Sequence, residues 1–148
     1  MDILDKPREE WDTYDLQTKN GLKIEIKSSS YLQSWEQKEL SKIIFGIKPT
    51  GESQSKTTLR SRKSDIYIFC VLAHKEKNSV DPLNLSQWDF YILETKTLNE
   101  KIPNQKTITL SSLLRLNPLC VKYNKLNEEI SKIEDKQITQ ERGANYNT

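Results

Sequence analysis

The sequence predicts an α+β domain, in which a mixed central β-sheet of about five strands is flanked by helices. Three observations favour this class. Apolar runs typical of strands occupy the N-terminal and central parts of the chain, polar segments rich in turn residues separate them, and helical spacing of leucines and isoleucines appears towards the C-terminus. The 148 residues fit a single domain, which we assign to 1–135, followed by a polar tail at 136–148 that is expected to fray.

A β-hairpin opens the predicted sheet. The segments on either side of Lys19-Asn20-Gly21 alternate polar and apolar side chains, and the glycine suits the left-handed position that closes a three-residue loop. Such a loop places Leu16 opposite Ile24. It also places Asp15 opposite Glu25, so that polar residues face polar ones and apolar residues face apolar ones. A two-residue turn would mix the two faces, and we therefore favour the longer loop.

Three further strands and three helices follow in the prediction. The run over 65–73 is the most apolar in the chain and is bounded by charge, which is typical of a central strand. Near the C-terminus, Leu110, Leu113 and Leu114 follow helical spacing. The predicted strands are 43–47, 65–73 and 88–93, and the predicted helices are a short one within 31–40, one over 108–116 and one over 118–134.

Composition excludes several classes of site. One His, two Cys and four Gly cannot supply a four-ligand zinc site, a P-loop or a dinucleotide-binding loop. A histidine-dependent triad would have to use His74, and a lone histidine at a strand end is usually structural. The remaining chemistry rests on carboxylates, lysines and a metal other than zinc.

Charge and hydropathy constrain location and partners. The formal net charge of +2 requires any basic surface for nucleic acid to be local. No apolar run approaches the roughly 18 residues of a membrane span, and the N-terminus lacks the apolar stretch of a secretory signal. Two cysteines without a disulfide pattern are typical of a reducing compartment, so a cytoplasmic location is expected.

The hairpin contains the residues that most specifically indicate a chemical function. Opposed residues of an antiparallel pair have Cβ atoms about 4.5–5.5 Å apart, so Asp15 and Glu25 would set two carboxylates side by side. Such a pair repels unless a proton or a cation lies between its members. Mg²⁺ or Mn²⁺ prefers oxygen ligands, and the backbone carbonyl of Ile26 offers another. Lys27, on the same face, is placed to orient a metal-bound water. An ordinary solvated strand face is the alternative interpretation.

The pattern of Asp15, a glycine turn and then Ile24-Glu25-Ile26-Lys27 resembles the PD-(D/E)xK nucleases, the restriction-endonuclease-like superfamily. The resemblance implies that Asp15 and Glu25 bind Mg²⁺ or Mn²⁺, that Lys27 assists the attacking water, and that the substrate is DNA. Tyr14 stands where the motif often has proline. More widely, the chain looks similar to a group of short bacterial proteins of that fold, on the segments WDTYDL, KIEIKSSSYLQSW, DIYIFCVLAHK and VDPLNLSQWDFYIL.

Two further features of the family have partial counterparts. One branch carries a glutamine after the lysine, for which Gln33 and Gln37 are the candidates. The family's core usually opens with a helix that bears a glutamate near the metal. Few residues precede Asp15, so this helix is expected to be short or missing, with Glu9 or Glu10 as what remains. The sheet face that it would cover is then expected to associate with a second copy, as a homodimer, or with a partner chain.

A basic segment completes the predicted site. The polar loop over 48–63 is rich in lysine and arginine, and a mobile basic loop beside two carboxylates would hold a phosphate backbone. An ordinary surface loop is equally compatible with this composition. The residues assigned to nucleic acid are Lys48, Lys56, Arg60, Arg62 and Lys63.

The sequence therefore favours a Mg²⁺-dependent endonuclease that hydrolyses DNA phosphodiester bonds. Two alternatives stay open. One is a catalytically inactive DNA-binding or protein-interaction module of the same fold. The other is a structural subunit whose acidic pair only neutralises Lys23 and Lys27.

Overall fold

The structure, a computed structural model, describes Ile3 and residues 14–49 and 62–145. The strands in this part of the chain are β1 Leu16–Gln17, β2 Lys23–Ser30, β3 Ile44–Gly46, β4 Ile66–Leu72, β5 Trp88–Glu94, β6 Thr107–Thr109 and β7 Leu119–Val121. The helices are α1 Thr95–Lys101, α2 Leu110–Arg115 and α3 Tyr123–Asn145, with a 3₁₀ turn at Leu85–Gln87.

A mixed sheet of five strands forms the centre of the molecule, in the order β1-β2-β4-β5-β7. β2 and β4 run parallel, and the other neighbouring pairs are antiparallel. β3 and β6 form a separate two-stranded antiparallel sheet. The predicted mixed sheet of about five strands with flanking helices is confirmed.

Apolar clusters cover both faces of the central sheet. All seven residues of β4 are buried, as expected for a central strand, and successive side chains point to opposite faces. One face packs against α3 through Ile130, and the other packs against the two-stranded sheet and α2 through Leu113. Ile24 belongs to the cluster that faces α3. The alternation along β2 therefore places Glu25 and Lys27 on the opposite face.

The C-terminal part departs from the prediction in two places. β7 pairs with β5 as a strand at the edge of the sheet, whereas the sequence predicts a helix from residue 118. α3 follows it and continues to Asn145, past the predicted end at 134 and into the segment expected to fray. Lysine–glutamate pairs one turn apart, such as Lys132 and Glu128 at 3.8 Å, support the exposed face of so polar a helix.

Two smaller elements also differ. α1 is absent from the prediction because Leu98 is its single buried apolar side chain, which leaves no periodic pattern to detect. The segment 31–40, predicted to hold a short helix, is a loop. Within the described ranges, no helix combines the length and the apolar character that crossing a membrane requires.

Candidate active site

The hairpin has the register that the sequence predicts. Gly21 has a φ of 93° and closes a three-residue loop. Its N–H donates to the Thr18 carbonyl at 2.9 Å, and the Thr18 N–H donates to the Leu22 carbonyl at 2.9 Å. Leu16 pairs with Ile24 across the ladder. The choice of the longer loop is therefore confirmed.

Asp15 lies just beyond the paired part of this ladder, which ends at Leu16. Its N–H donates to the Ile24 carbonyl at 2.9 Å, so two successive residues of the first strand face one residue of the second, as in a β-bulge. The Asp15 Oδ2 accepts the Ile26 N–H at 2.8 Å. The carboxylate thus lies against the backbone of Ile26 rather than in a ladder pair with Glu25, which corrects the predicted opposition.

Glu25 and Lys27 project from the same face of β2 because one residue separates them. The Lys27 Nζ lies 3.1 Å from the Glu25 Oε1, and the two side chains are 32% and 14% exposed, respectively. Parallel pairing with β4 places Tyr67 beside Glu25 and Phe69 beside Lys27. The ion pair therefore rests against aromatic side chains and keeps part of its surface open to solvent.

Tyr67 is a site residue that sequence reasoning missed. It is only 4% exposed, and burial raises the pKa of its hydroxyl to about 12. The negative charges of Glu25 and, to a lesser extent, Asp15 contribute to this rise in pKa, whereas Arg62 and a hydrogen bond with Ser64 oppose it. Both carboxylates therefore act on one buried phenol. Tyr67 belongs to the site only because β4 pairs with β2, and the sequence of β4 does not reveal which strand is its neighbour.

Oxygen atoms of a kind suited to a divalent cation lie along this part of β2. Asp15 and Glu25 contribute carboxylates, and the Ile26 N–H points at Asp15. Because the N–H and C=O of one strand residue point to the same edge, the Ile26 carbonyl lies at that edge too. Hard oxygen donors of this kind fit Mg²⁺ or Mn²⁺; Mg²⁺ in particular keeps several water ligands and needs few from the protein.

Arg62 does not have the role predicted for it. It is 4% exposed, and its guanidinium donates to the carbonyls of Ile47 and Gln105, each at 2.7 Å, and to that of Ile102 at 3.2 Å. The Asn99 side chain accepts a further bond at 3.3 Å. Burial lowers the pKa of this guanidinium. A side chain held inside the protein by backbone carbonyls cannot contact a phosphate, so we withdraw it from the nucleic-acid surface.

Of the other predicted phosphate contacts, Lys48 and Lys63 are exposed. The bond from Arg62 Nε to the Ile47 carbonyl joins the segment before residue 50 to the segment after residue 61. The backbone next to each of these two lysines is therefore held in place. Their assignment to nucleic acid stays a prediction. Lys56, Arg60, Glu9 and Glu10 lie outside the described residues.

The two glutamine candidates hold the 31–41 loop together. The Gln37 Oε1 accepts the Gln33 N–H at 2.9 Å, and its Nε2 donates to the Tyr31 carbonyl at 3.2 Å. The Gln33 Nε2 donates to the Ser30 carbonyl at 3.1 Å. These bonds hold both amides against the backbone at the end of β2 and in the loop that follows it, and none of them involves Asp15.

Comparison with protein families identifies the chain. The family model described as bacteriophage T4 endonuclease IV matches residues 8–112, well over half of the sequence. The chain belongs to this family. The matched part contains the hairpin with all three predicted catalytic residues, while β7 and α3 lie beyond it. This endonuclease family agrees with the nuclease class that the sequence favours. Comparisons with curated proteins and with solved structures gave no match.

Two buried acidic side chains, Cys70 and Tyr67, make the free energy of unfolding depend on pH in the alkaline range. Burial raises the pKa of Cys70 from 9.0 to about 11 and that of Tyr67 from 10.0 to about 12. The folded state holds these protons more tightly than the unfolded chain, so their contribution is complete well below pH 9 and is lost as pH rises towards 12. We expect the free energy of unfolding, measured in urea, to be nearly the same at about pH 7 and pH 8 and to fall from about pH 9 to 10 and again from about pH 10 to 11.

The variant Tyr67→Phe should flatten this dependence above pH 10, because it keeps the ring and removes the titrating group. Tyr123→Phe is the matched control, since Tyr123 is 54% exposed. An unchanged slope in Tyr67→Phe would contradict the assignment of the alkaline loss to this phenol.

Proposed function

We propose that the protein is a Mg²⁺-dependent endonuclease of the PD-(D/E)xK type, which hydrolyses DNA phosphodiester bonds. Asp15 and Glu25 would hold the metal together with the Ile26 carbonyl, and Lys27 would assist the attacking water. One observation carries the proposal: the Asp15 carboxylate accepts the Ile26 N–H at 2.8 Å, which brings it to the residue of β2 that stands between Glu25 and Lys27. This arrangement occurs on one strand of a chain from an endonuclease family.

Each side chain has a separate task in this proposal. A bound Mg²⁺ or Mn²⁺ would polarise the phosphoryl oxygen and lower the pKa of a water ligand. The Lys27 ammonium would orient that water and offset the negative charge that develops on the phosphate. Tyr67 would fix Glu25, because it is buried directly beside it on β4. A carboxylate held in this way needs little rearrangement when the substrate binds.

The DNA backbone would be held by local positive charge. Lys48 and Lys63 are exposed, and Lys63 follows Arg62, which acts on the same phenol as Glu25. Lysines near a carboxylate site bring phosphates to it and make binding depend on salt. Because the overall charge is only +2, these local charges would matter more than the field of the whole molecule.

A DNA-binding module without cleavage is the second candidate. The direct contact between Lys27 and Glu25 at 3.1 Å favours it, because the lysine already neutralises a carboxylate that a metal would need. The two candidates differ in a simple respect: both bind DNA, and only the endonuclease hydrolyses it with added metal.

Incubation with supercoiled plasmid tests the proposal. We expect the wild-type protein to nick and then linearise the plasmid with Mg²⁺ or Mn²⁺, and Lys27→Ala to cut at least about 100-fold more slowly. Lys125→Ala, which removes an exposed lysine of α3 that is paired with Glu128, should cut at the wild-type rate. Equal cleavage by wild type and Lys27→Ala would reject the catalytic assignment. Salt-sensitive binding without any metal-dependent cleavage would establish the module instead.

A further inference from the structure

A polar pocket lies between the hairpin turn and α3. Its volume is about 220 Å³, and its wall includes Asn20, Asp65, Glu134, Gln137 and Glu141. Neither Asp15, Glu25 nor Lys27 lines it. Lys63 is the one residue of this pocket to which the function proposed above assigns a role, and α3 lies outside the part of the chain that matches the endonuclease family.

Glu134 is the unusual group in this pocket. It is only 5% exposed. Its Oε2 accepts a hydrogen bond from the Asn20 Nδ2 at 2.7 Å, whereas its Oε1 is buried and has no hydrogen-bond partner in the described part of the chain. A buried carboxylate oxygen without a donor is costly, and most buried polar atoms in proteins are paired. The unpaired Oε1 therefore points to a hydrogen-bond donor that comes from a bound molecule.

The charge of the pocket favours a cation. Its acidic groups are Asp65, Glu134 and Glu141, and its basic groups are Lys23 and Lys63, which gives a formal net charge of −1. The Lys23 ammonium is engaged elsewhere, since it lies 5.5 Å from the centre of the Tyr14 ring. Asp65 has one oxygen already occupied by the Lys23 N–H at 2.8 Å. The engagement of Lys23 increases the excess of negative charge in the pocket, whereas the bond to Asp65 occupies one of its acceptor atoms.

A nitrogen cation suits these acceptors. An ammonium or a guanidinium needs only hydrogen-bond acceptors and carries three to five N–H donors. We propose that this pocket binds the ammonium or guanidinium end of a small organic cation, with the Glu134 carboxylate as its principal acceptor.

Lys63 sharpens the proposal, because its side chain lines the same pocket and offers the same chemistry from within the protein. An external ammonium would have to compete with it. Removal of the Lys63 charge should therefore strengthen ligand binding, whereas removal of the Glu134 charge should weaken it. These opposite signs would not result from a general loss of folding.

Agmatine is a suitable probe, since it carries an ammonium at one end and a guanidinium at the other. We expect saturable binding of agmatine by calorimetry, and none of tetramethylammonium, which has the same type of charge but no N–H donor. Glu134→Gln should bind agmatine at least about tenfold more weakly, and Lys63→Gln at least as tightly as the wild type. Glu128→Gln, an exposed acid on the same helix that is 56% accessible, should bind like the wild type.

Glu134→Gln is expected to fold, because its amide oxygen still accepts from Asn20 and a buried charge is removed. If it does not fold, Lys63→Gln decides alone, and weaker binding in that variant would overturn the inference. The absence of saturable agmatine binding, or equal affinity in Glu134→Gln and the wild type, would show that the pocket holds water only. All of these readouts measure binding without DNA or metal, so they are independent of the proposed nuclease activity.

Discussion

Replacement of Arg62 by alanine is expected to lower the free energy of unfolding by about 3–5 kcal/mol, since each buried carbonyl left without a donor costs about 1–3 kcal/mol. The loss arises from the groups left behind as much as from the arginine. The Ile47 and Gln105 carbonyls each accept a bond of 2.7 Å from this guanidinium. Without it they would be buried and unpaired, next to a cavity the size of the side chain.

Urea denaturation measures this effect directly. Arg115→Ala is the matched control, because Arg115 lies in the exposed last turn of α2 and should change stability by no more than about 0.5 kcal/mol. Arg62→Lys should recover only part of the loss, since an ammonium cannot reproduce the planar fork that reaches separate carbonyls. Similar unfolding curves for Arg62→Ala and Arg115→Ala would contradict the structural role of the buried guanidinium.

The sequence could not have predicted this role for Arg62. It stands in a polar segment rich in serine, lysine and arginine, where solvated side chains are the rule. Its partners come from separate places in the chain: Ile47 before the loop, and Ile102 and Gln105 after α1. Burial of the arginine depends on the tertiary fold that brings these carbonyls together, and no local pattern encodes it.

The hairpin was predictable for the opposite reason. Its register depends on one glycine and on the alternation of a few neighbouring residues, all of which are local. Asp15 shows where such reasoning ends. Alternation predicts a ladder pair with Glu25, but the ladder stops at Leu16 and the carboxylate bonds to the Ile26 N–H instead. A bulge inserts one extra residue into one of the two strands, and the alternation of polar and apolar residues alone does not reveal it.

The C-terminal elements show that tertiary pairing can override a helical signal. The proline at 118 suits the first turn of a helix, yet the next three residues add to the edge of the sheet as β7. Asn117, with a φ of 56°, ends α2 and redirects the chain. Pairing with β5 provides backbone hydrogen bonds that a helix starting at 118 would have lacked in its first turn. The helix therefore begins after the strand, at Tyr123.

A pair of substitutions at Asp15 should separate its structural role from its catalytic role. Asp15→Asn keeps an oxygen that can accept the Ile26 N–H but removes the charge that a metal would need. Asp15→Ala removes both. We expect both variants to lose plasmid cleavage by about 10²–10³-fold or more, as is usual when a group that stabilises the transition state is deleted. Only Asp15→Ala should also lose stability, by about 1 kcal/mol for one hydrogen bond.

Cleavage rates over a range of Mg²⁺ and Mn²⁺ concentrations, together with urea unfolding of the same samples, would give both quantities. Asp89→Asn is a suitable control because Asp89 pairs with Lys122 at 2.7 Å on another strand and belongs to neither role. If Asp15→Asn cleaved at the wild-type rate, the carboxylate would be no more than a backbone cap for Ile26. If it lost activity and stability together, the two roles would not be separable. Loss of activity alone, partly restored by high Mn²⁺, is the result expected of a metal ligand, since an amide oxygen still coordinates but binds more weakly than a carboxylate.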